Sequence, residues 1–232
     1  MKEEIKVSIV VPCYQSEHYL EATVVALYSE LKALQNLHIE SFEIILVIDG
    51  SPDQTWKIAD VLEQRFEQVR ALHLPVNSGQ HTATLEGVRI SQMPWVITMD
   101  DDGQHPPTEI LNLLNGIDTD TDVIYGISTV EEHGLFRNFF SRSIKSLLFW
   151  MYRNEAATYF SAFRLFRRSI LGDINSDNFA RKIVDVELHR GTNKFKQVAV
   201  TMKKRESGVS NYTVIALAKL AIRMGVGYSR KR

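Results

Sequence analysis

Four short apolar runs punctuate the first hundred residues, and the segments between them carry a helical period. The runs are "IKVSIVVP" (5–12), "FEIILVID" (42–49), "VRALHL" (69–74) and "PWVITMD" (94–100). Runs of four to eight apolar residues, rich in Val and Ile, are the mark of strands buried on both faces. Between them lie "SEHYLEATVVALYSELKAL" (16–34), "SPDQTWKIADVLEQRF" (51–66) and "NSGQHTATLEGVRIS" (77–91). Each reads as a turn or loop leading into a helix, with Ser16 as the expected N-cap of the first. Strands joined by helical crossovers form a mostly parallel sheet with helices on both faces. The polar sequences then fall at the carboxyl ends of strands, where open α/β sheets bind ligands.

The most charged of these polar sequences is "MDDDGQHPP" (99–107), directly after "WVIT". Adjacent carboxylates repel one another. Hard divalent cations such as Mg²⁺ or Mn²⁺ prefer carboxylate oxygens and take part of their shell from substrate phosphates. Along an extended segment, Asp100 and Asp102 point to the same side and can share such an ion. A solvated acidic turn is the plainer alternative.

The net charge of −1 conceals an asymmetry. Residues 1–134 hold 7 Lys/Arg against 22 Asp/Glu, and residues 135–232 hold 20 against 6. A basic second half implies an anionic partner, such as a phosphate group, an acidic membrane surface or nucleic acid. That half contains an apolar helical stripe over 135–152 and an amphipathic helix near 212–225, with expected strands at 162–166 and 195–202. Both helices suit a headgroup region, although core packing explains either stripe alone. No run of 18 apolar residues is present, and "MKEEIKVSIVV" lacks a signal-peptide pattern. Cys13 is the single cysteine, which excludes an internal disulfide and fits a reducing compartment. The histidines have no metal-ligand spacing. No nucleic-acid recognition motif accompanies the basic half.

Seven stretches, "VSIVVPCYQSE", "IDGSPDQTW", "NSGQHTATLEG", "MDDDGQHPP", "RNFFSR", "SAFRLFRR" and "KRESGVSNY", span residues 7–212. In content and order they resemble family-2 inverting glycosyltransferases of the GT-A fold. The likeness is strongest to the polyprenyl-phosphate sugar transferases, which include dolichyl-phosphate mannose synthase. The resemblance implies one domain over 1–232, with a nucleotide-sugar-binding half at 1–134 and an acceptor- and phosphate-binding half at 135–232. It implies a Rossmann-like sheet followed by C-terminal amphipathic helices.

It also assigns residues. Asp102 is implied as a metal ligand, with Asp100 on the metal or the ribose, Asp101 on the donor side and Gln104 near the metal. Pro12 and Tyr14 match residues flanking the base, Asp49 the acid that accepts from base or ribose, and Gln80 a donor contact. By its spacing alone, "IDGSPDQT" is equally a turn and a helix cap. Arg137, Arg164 and Arg205 match arginines around the phosphates, and Ser141 lies one turn beyond Arg137. For each arginine a surface ion pair is the alternative. The chain departs from the family's common pattern at Gly50, where many relatives carry a second acid. It departs again at Gln15–Ser16, at Gly103, where a looser loop is expected, and at Ala162.

The function implied is metal-dependent, inverting transfer of a sugar from a UDP-, GDP- or dTDP-sugar to a polyprenyl phosphate. Such an enzyme works peripherally at the cytoplasmic face of the membrane, as a monomer or homo-oligomer. The alternative is transfer to a sugar hydroxyl of a lipid-linked saccharide in surface-polysaccharide synthesis. A hydroxyl acceptor needs a general base. Asp185 and Glu187 are the candidates, unless they form a solvated helix face.

Overall fold

A computed structural model describes residues 5–35, 37–128, 160–172 and 182–202. Its strands are β1 (Lys6–Cys13), β2 (Ser41–Asp49), β3 (Val69–Leu74), β4 (Trp95–Thr98), β5 (Val123–Ser128), β6 (Arg164–Arg167) and β7 (Phe195–Val200). The helices are α1 (Leu20–Leu34), α2 (Thr55–Arg65), α3 (Gln80–Ile90), α4 (Ile110–Asn115) and α5 (Val184–Gly191), with 3₁₀ turns at Pro107–Glu109 and Arg168–Leu171. The strands form one sheet in the order β3-β2-β1-β4-β6-β5-β7. All pairings are parallel except those of β6, which runs antiparallel to both β4 and β5.

The period of two along the strands separates two cores. Val7, Ile9, Val11, Ile44 and Leu46 face α1, where Leu20, Val24, Leu27 and Leu31 are buried against them. Val10, Ile45 and Val47 face the opposite way, onto Ala83 and Val88 of α3, and Val184 and Leu188 of α5 join this second core. Helices on both faces follow directly from this alternation. The first-half strands and helices lie where their periodicity places them, and β3 has the predicted bounds. α4 and β5 have no counterpart among the sequence-based expectations.

β6 runs over Arg164–Arg167 against the expected 162–166, β7 over Phe195–Val200 against 195–202, and three first-half boundaries differ for local reasons. α1 starts at Leu20 rather than after Ser16, because residues 17–19 form a turn closed by Leu20 N–H on the Ser16 carbonyl (2.9 Å). Ser16 is therefore not a side-chain cap. α2 starts at Thr55 because Asp53 turns the chain first, accepting from Ser51 Oγ (2.6 Å) and Thr55 N–H (3.1 Å). β4 ends at Thr98, so the acidic residues lie in the loop beyond it. The helices expected over 135–152 and 212–225, together with Arg137, Ser141 and Arg205, lie outside the described residues.

The close seat of α3 depends on Gly87. A methyl group there would fall inside van der Waals contact with Val10 Cγ1 and Val47 Cγ2, both in the core. Gly87→Ala is expected to destabilise the protein by about 1–3 kcal/mol through overpacking, read as a lowered urea midpoint.

Candidate active site

The loops after β1, β2, β3 and β4 meet at the carboxyl end of the sheet. β1 ends in Pro12 and Cys13, both buried, and Tyr14 emerges half-exposed. Gln15 takes a positive φ of 55° and gives its N–H to Ser51 Oγ (2.7 Å). Ser16 N–H donates to Thr55 Oγ1 (2.8 Å), and Glu17 accepts from Gln54 N–H (2.9 Å). The first two loops are thus fastened together before any ligand arrives.

The three carboxylates of the acidic turn part company. Asp100 accepts from the side-chain amide of Gln80, the first residue of α3. Asp101 turns to the β1–α1 loop, where its Oδ2 accepts from Ser16 Oγ and from Tyr14 N–H (3.3 Å). Asp102 folds back on its own turn, its Oδ1 accepting from Gln104 N–H (3.0 Å). Gly103 has a φ of +71°, which glycine adopts without strain, so it shapes this turn rather than loosening it. Behind the turn, buried His105 accepts Asp100 N–H at Nδ1 (3.3 Å) and stacks on Phe163 at 5.2 Å. Burial holds its imidazole below the usual histidine range, against the pull of Asp100 and Asp102.

Burial and crowding both leave a mark on Asp101. Burial, aided by the charges of Asp100 and Asp102, pushes its carboxyl up to about 7, although the bonds from Ser16 and Tyr14 oppose the rise. A cation at the turn would relieve this repulsion. The donor set fits a hard divalent ion, since it consists of carboxylate oxygens. Among the described residues no three His, Cys, Asp or Glu side chains are already gathered around one point. The protein can furnish part of a coordination shell, leaving positions for water or an anionic ligand.

Asp49 ends β2 and is buried. Its two oxygens accept from Ser78 N–H (2.7 Å) and Gly79 N–H (2.8 Å). Arg164 is buried in β6, aligned with Thr98 of β4. It donates through Nε to Thr98 Oγ1 (3.0 Å) and pairs through Nη1 with Asp185. Tyr125 O–H donates to the same Asp185 oxygen (3.1 Å). Burial is the largest influence and opposes the Arg164 charge, but Asp185, Tyr125 and Asp100 together raise the guanidinium above its ordinary range. Asp185 is only 6% exposed, so it is not on a solvated face. The neighbouring Val184 and Leu188 are in the second core, which draws Asp185 inward with them. Glu187 pairs instead with Arg190 (2.6 Å).

Of the residues singled out in the sequence, Tyr14, Gln80, Asp100, Asp101, Asp102 and Gln104 are brought together by these bonds. Pro12 adjoins them on β1, Asp49 reaches them through α3, and Arg164 enters from the neighbouring strand. Ser16, Thr98 and His105 also belong to the constellation. Ser16 and Thr98 carry no sequence signal for it, because their partners are distant along the chain. His105 was visible only as part of the quoted motif.

Three comparisons with known proteins bear on the family and the fold. The model of "Glycosyl transferase family 2" matches residues 8–174. The undecaprenyl-phosphate 4-deoxy-4-formamido-L-arabinose transferase of Photorhabdus laumondii is 30% identical over 219 residues, covering 93% of this chain and 65% of its own length. The enzyme of the same name from Serratia proteamaculans is 29% identical over the same shares. This chain therefore spans about 65% of the length of these relatives. Among solved structures, glucosyl-3-phosphoglycerate synthase of Mycobacterium tuberculosis, bound to Mn²⁺, UDP-glucose and phosphoglyceric acid, superposes with a TM-score of 0.68. It is 14% identical, and the match covers 97% of this chain and 80% of that one. That likeness establishes the fold.

The Arg164–Asp185 pair gives a direct test of the site's interior. Asp185→Ala strands a buried guanidinium and is expected to cost about 3–5 kcal/mol in urea denaturation. The apolar double replacement Arg164→Met/Asp185→Leu is expected to recover most of that loss.

Proposed function

From the premise that this chain belongs to glycosyl transferase family 2 and is a glycosyltransferase, we propose that it moves a sugar from a nucleotide-diphosphate donor to a polyprenyl phosphate. The observation that carries the choice of acceptor is the buried pairing of Asp185 with Arg164. A hydroxyl acceptor must lose a proton to a base as it attacks. Asp185 is engaged by Arg164 and Tyr125, and Glu187 by Arg190. A phosphate acceptor is already ionised near neutral pH and needs no base. The names of the curated relatives, which specify undecaprenyl phosphate, support the same acceptor class.

In this reading the nucleotide lies over Pro12 and Tyr14, with the Tyr14 ring available for stacking. Asp100 and Asp102 would hold a Mg²⁺ or Mn²⁺ ion, with Gln104 beside them. Bound there, the ion would neutralise charge developing on the diphosphate leaving group. Asp101 holds the turn to the β1–α1 loop. Arg164 adds positive charge from the sheet, and Arg137, Ser141 and Arg205 extend the phosphate-binding region. An acceptor phosphate oxygen attacks the anomeric carbon in line as the bond to the leaving diphosphate oxygen breaks, which inverts that carbon. Among the described residues no helix is long and apolar enough to cross a membrane. Contact with the membrane surface at the cytoplasmic face is assigned to the basic, amphipathic sequences near 135–152 and 212–225.

The test is a transfer assay with a panel of UDP-, GDP- and dTDP-sugars, Mn²⁺ or Mg²⁺, and undecaprenyl phosphate. A sugar-phosphate lipid is expected from one donor class. Removing the metal with EDTA, or introducing Asp102→Asn, is expected to slow transfer by about 100-fold or more. Product found only on the hydroxyl of a lipid-linked saccharide, or an undiminished rate in EDTA, would overturn the proposal.

A further inference from the structure

We propose that Asp49 is a positioning residue for the acidic turn, acting through the start of α3 and Gln80. Three observations form the chain of contacts. The Asp49 carboxylate bridges the N–H groups of Ser78 and Gly79, the two residues before Gln80. Gly50 has a φ of +57°, and a Cβ there would collide with the backbone of Val76 and Asn77. The β3–α3 loop therefore lies directly on the end of β2, where a second acid at position 50 would not fit. Gln80 then presents its side-chain amide to Asp100 Oδ1.

The physical logic is orientation. One oxygen of Asp100 is occupied by a neutral donor whose backbone is anchored at the helix start. The Asp100 N–H is fixed from the other side by His105. With its backbone N–H and one carboxylate oxygen both engaged, Asp100 has its orientation favoured before a cation arrives, so less ordering remains at binding. Asp49 thus acts on the turn at one remove. This role is separate from accepting a bond from the nucleotide base or ribose, for which each Asp49 oxygen, bonded once to a loop amide, keeps a further lone pair.

This deepens the proposed function and rests on it only for what the turn holds. Four proteins serve as the test: wild type, Asp49→Asn, Gln80→Met and the double variant. Amide hydrogen exchange over residues 99–104 is expected to rise about tenfold in each single variant and no further in the double, since both break one linkage. Mn²⁺ uptake in the presence of inorganic pyrophosphate, followed by the free-ion paramagnetic resonance signal, is expected to weaken in the same pattern. Should Asp49→Asn not fold, Asp49→Ser replaces it. Exchange and Mn²⁺ uptake matching wild type in the Asp49 variant, or effects that add in the double, would refute the linkage. The exchange measurement needs no donor, acceptor or metal. A wild-type protein that takes up no Mn²⁺ would count against the cation reading, while exchange would still decide the role of Asp49.

Discussion

Three carboxylates in succession at the end of a buried strand are an electrostatic load, and the surrounding loops are arranged to disperse it. Asp100, Asp101 and Asp102 are given three different partners, on α3, on the β1–α1 loop and within the turn. Each bond places a donor against a negative charge, which favours the ionised form. These bonds do not offset burial and the neighbouring charges at Asp101, whose carboxyl stays raised. Under the proposed function, this concentration of oriented carboxylates is what a cation and the phosphates accompanying it would meet.

The sheet supplies the opposing charge. β6 enters antiparallel beside β4, so Arg164 aligns with Thr98, two residues before Asp100. A buried arginine needs a counter-ion, and Asp185 provides it from α5, with the Tyr125 hydroxyl completing the network. One acid from the second half is thereby committed to a buried ion pair, and under the proposed function it is not the base.

Much of this was legible in the sequence, and the pattern of success has physical reasons. Buried parallel strands are continuous apolar runs, so β1 to β4 could be placed from Val, Ile and Leu alone. The acidic turn announced itself because clustered like charges need a purpose. Pairings across the sheet were not legible. Ser16 looks like a helix cap in its local sequence, but its hydroxyl bonds Asp101, 85 positions away. Asp185 sits in "IVDVELHR", which resembles a solvated helix, and only the packing of Val184 and Leu188 turns it inward. The antiparallel entry of β6 leaves no trace in periodicity. Gln15 takes a left-handed conformation without a glycine to signal it.

The central claim is that the three carboxylates divide their work, Asp100 and Asp102 serving the cation and Asp101 tying the turn to the first loop. Anomalous scattering at the manganese edge, from crystals soaked in Mn²⁺ and a nucleoside diphosphate, would test it most directly. The account predicts one strong peak, bounded by oxygens of Asp100 and Asp102 and by the diphosphate, with Asp101 still bonded to Ser16. A peak ligated by Asp101 in place of the other two, or an ion bound away from residues 100–102, would contradict it.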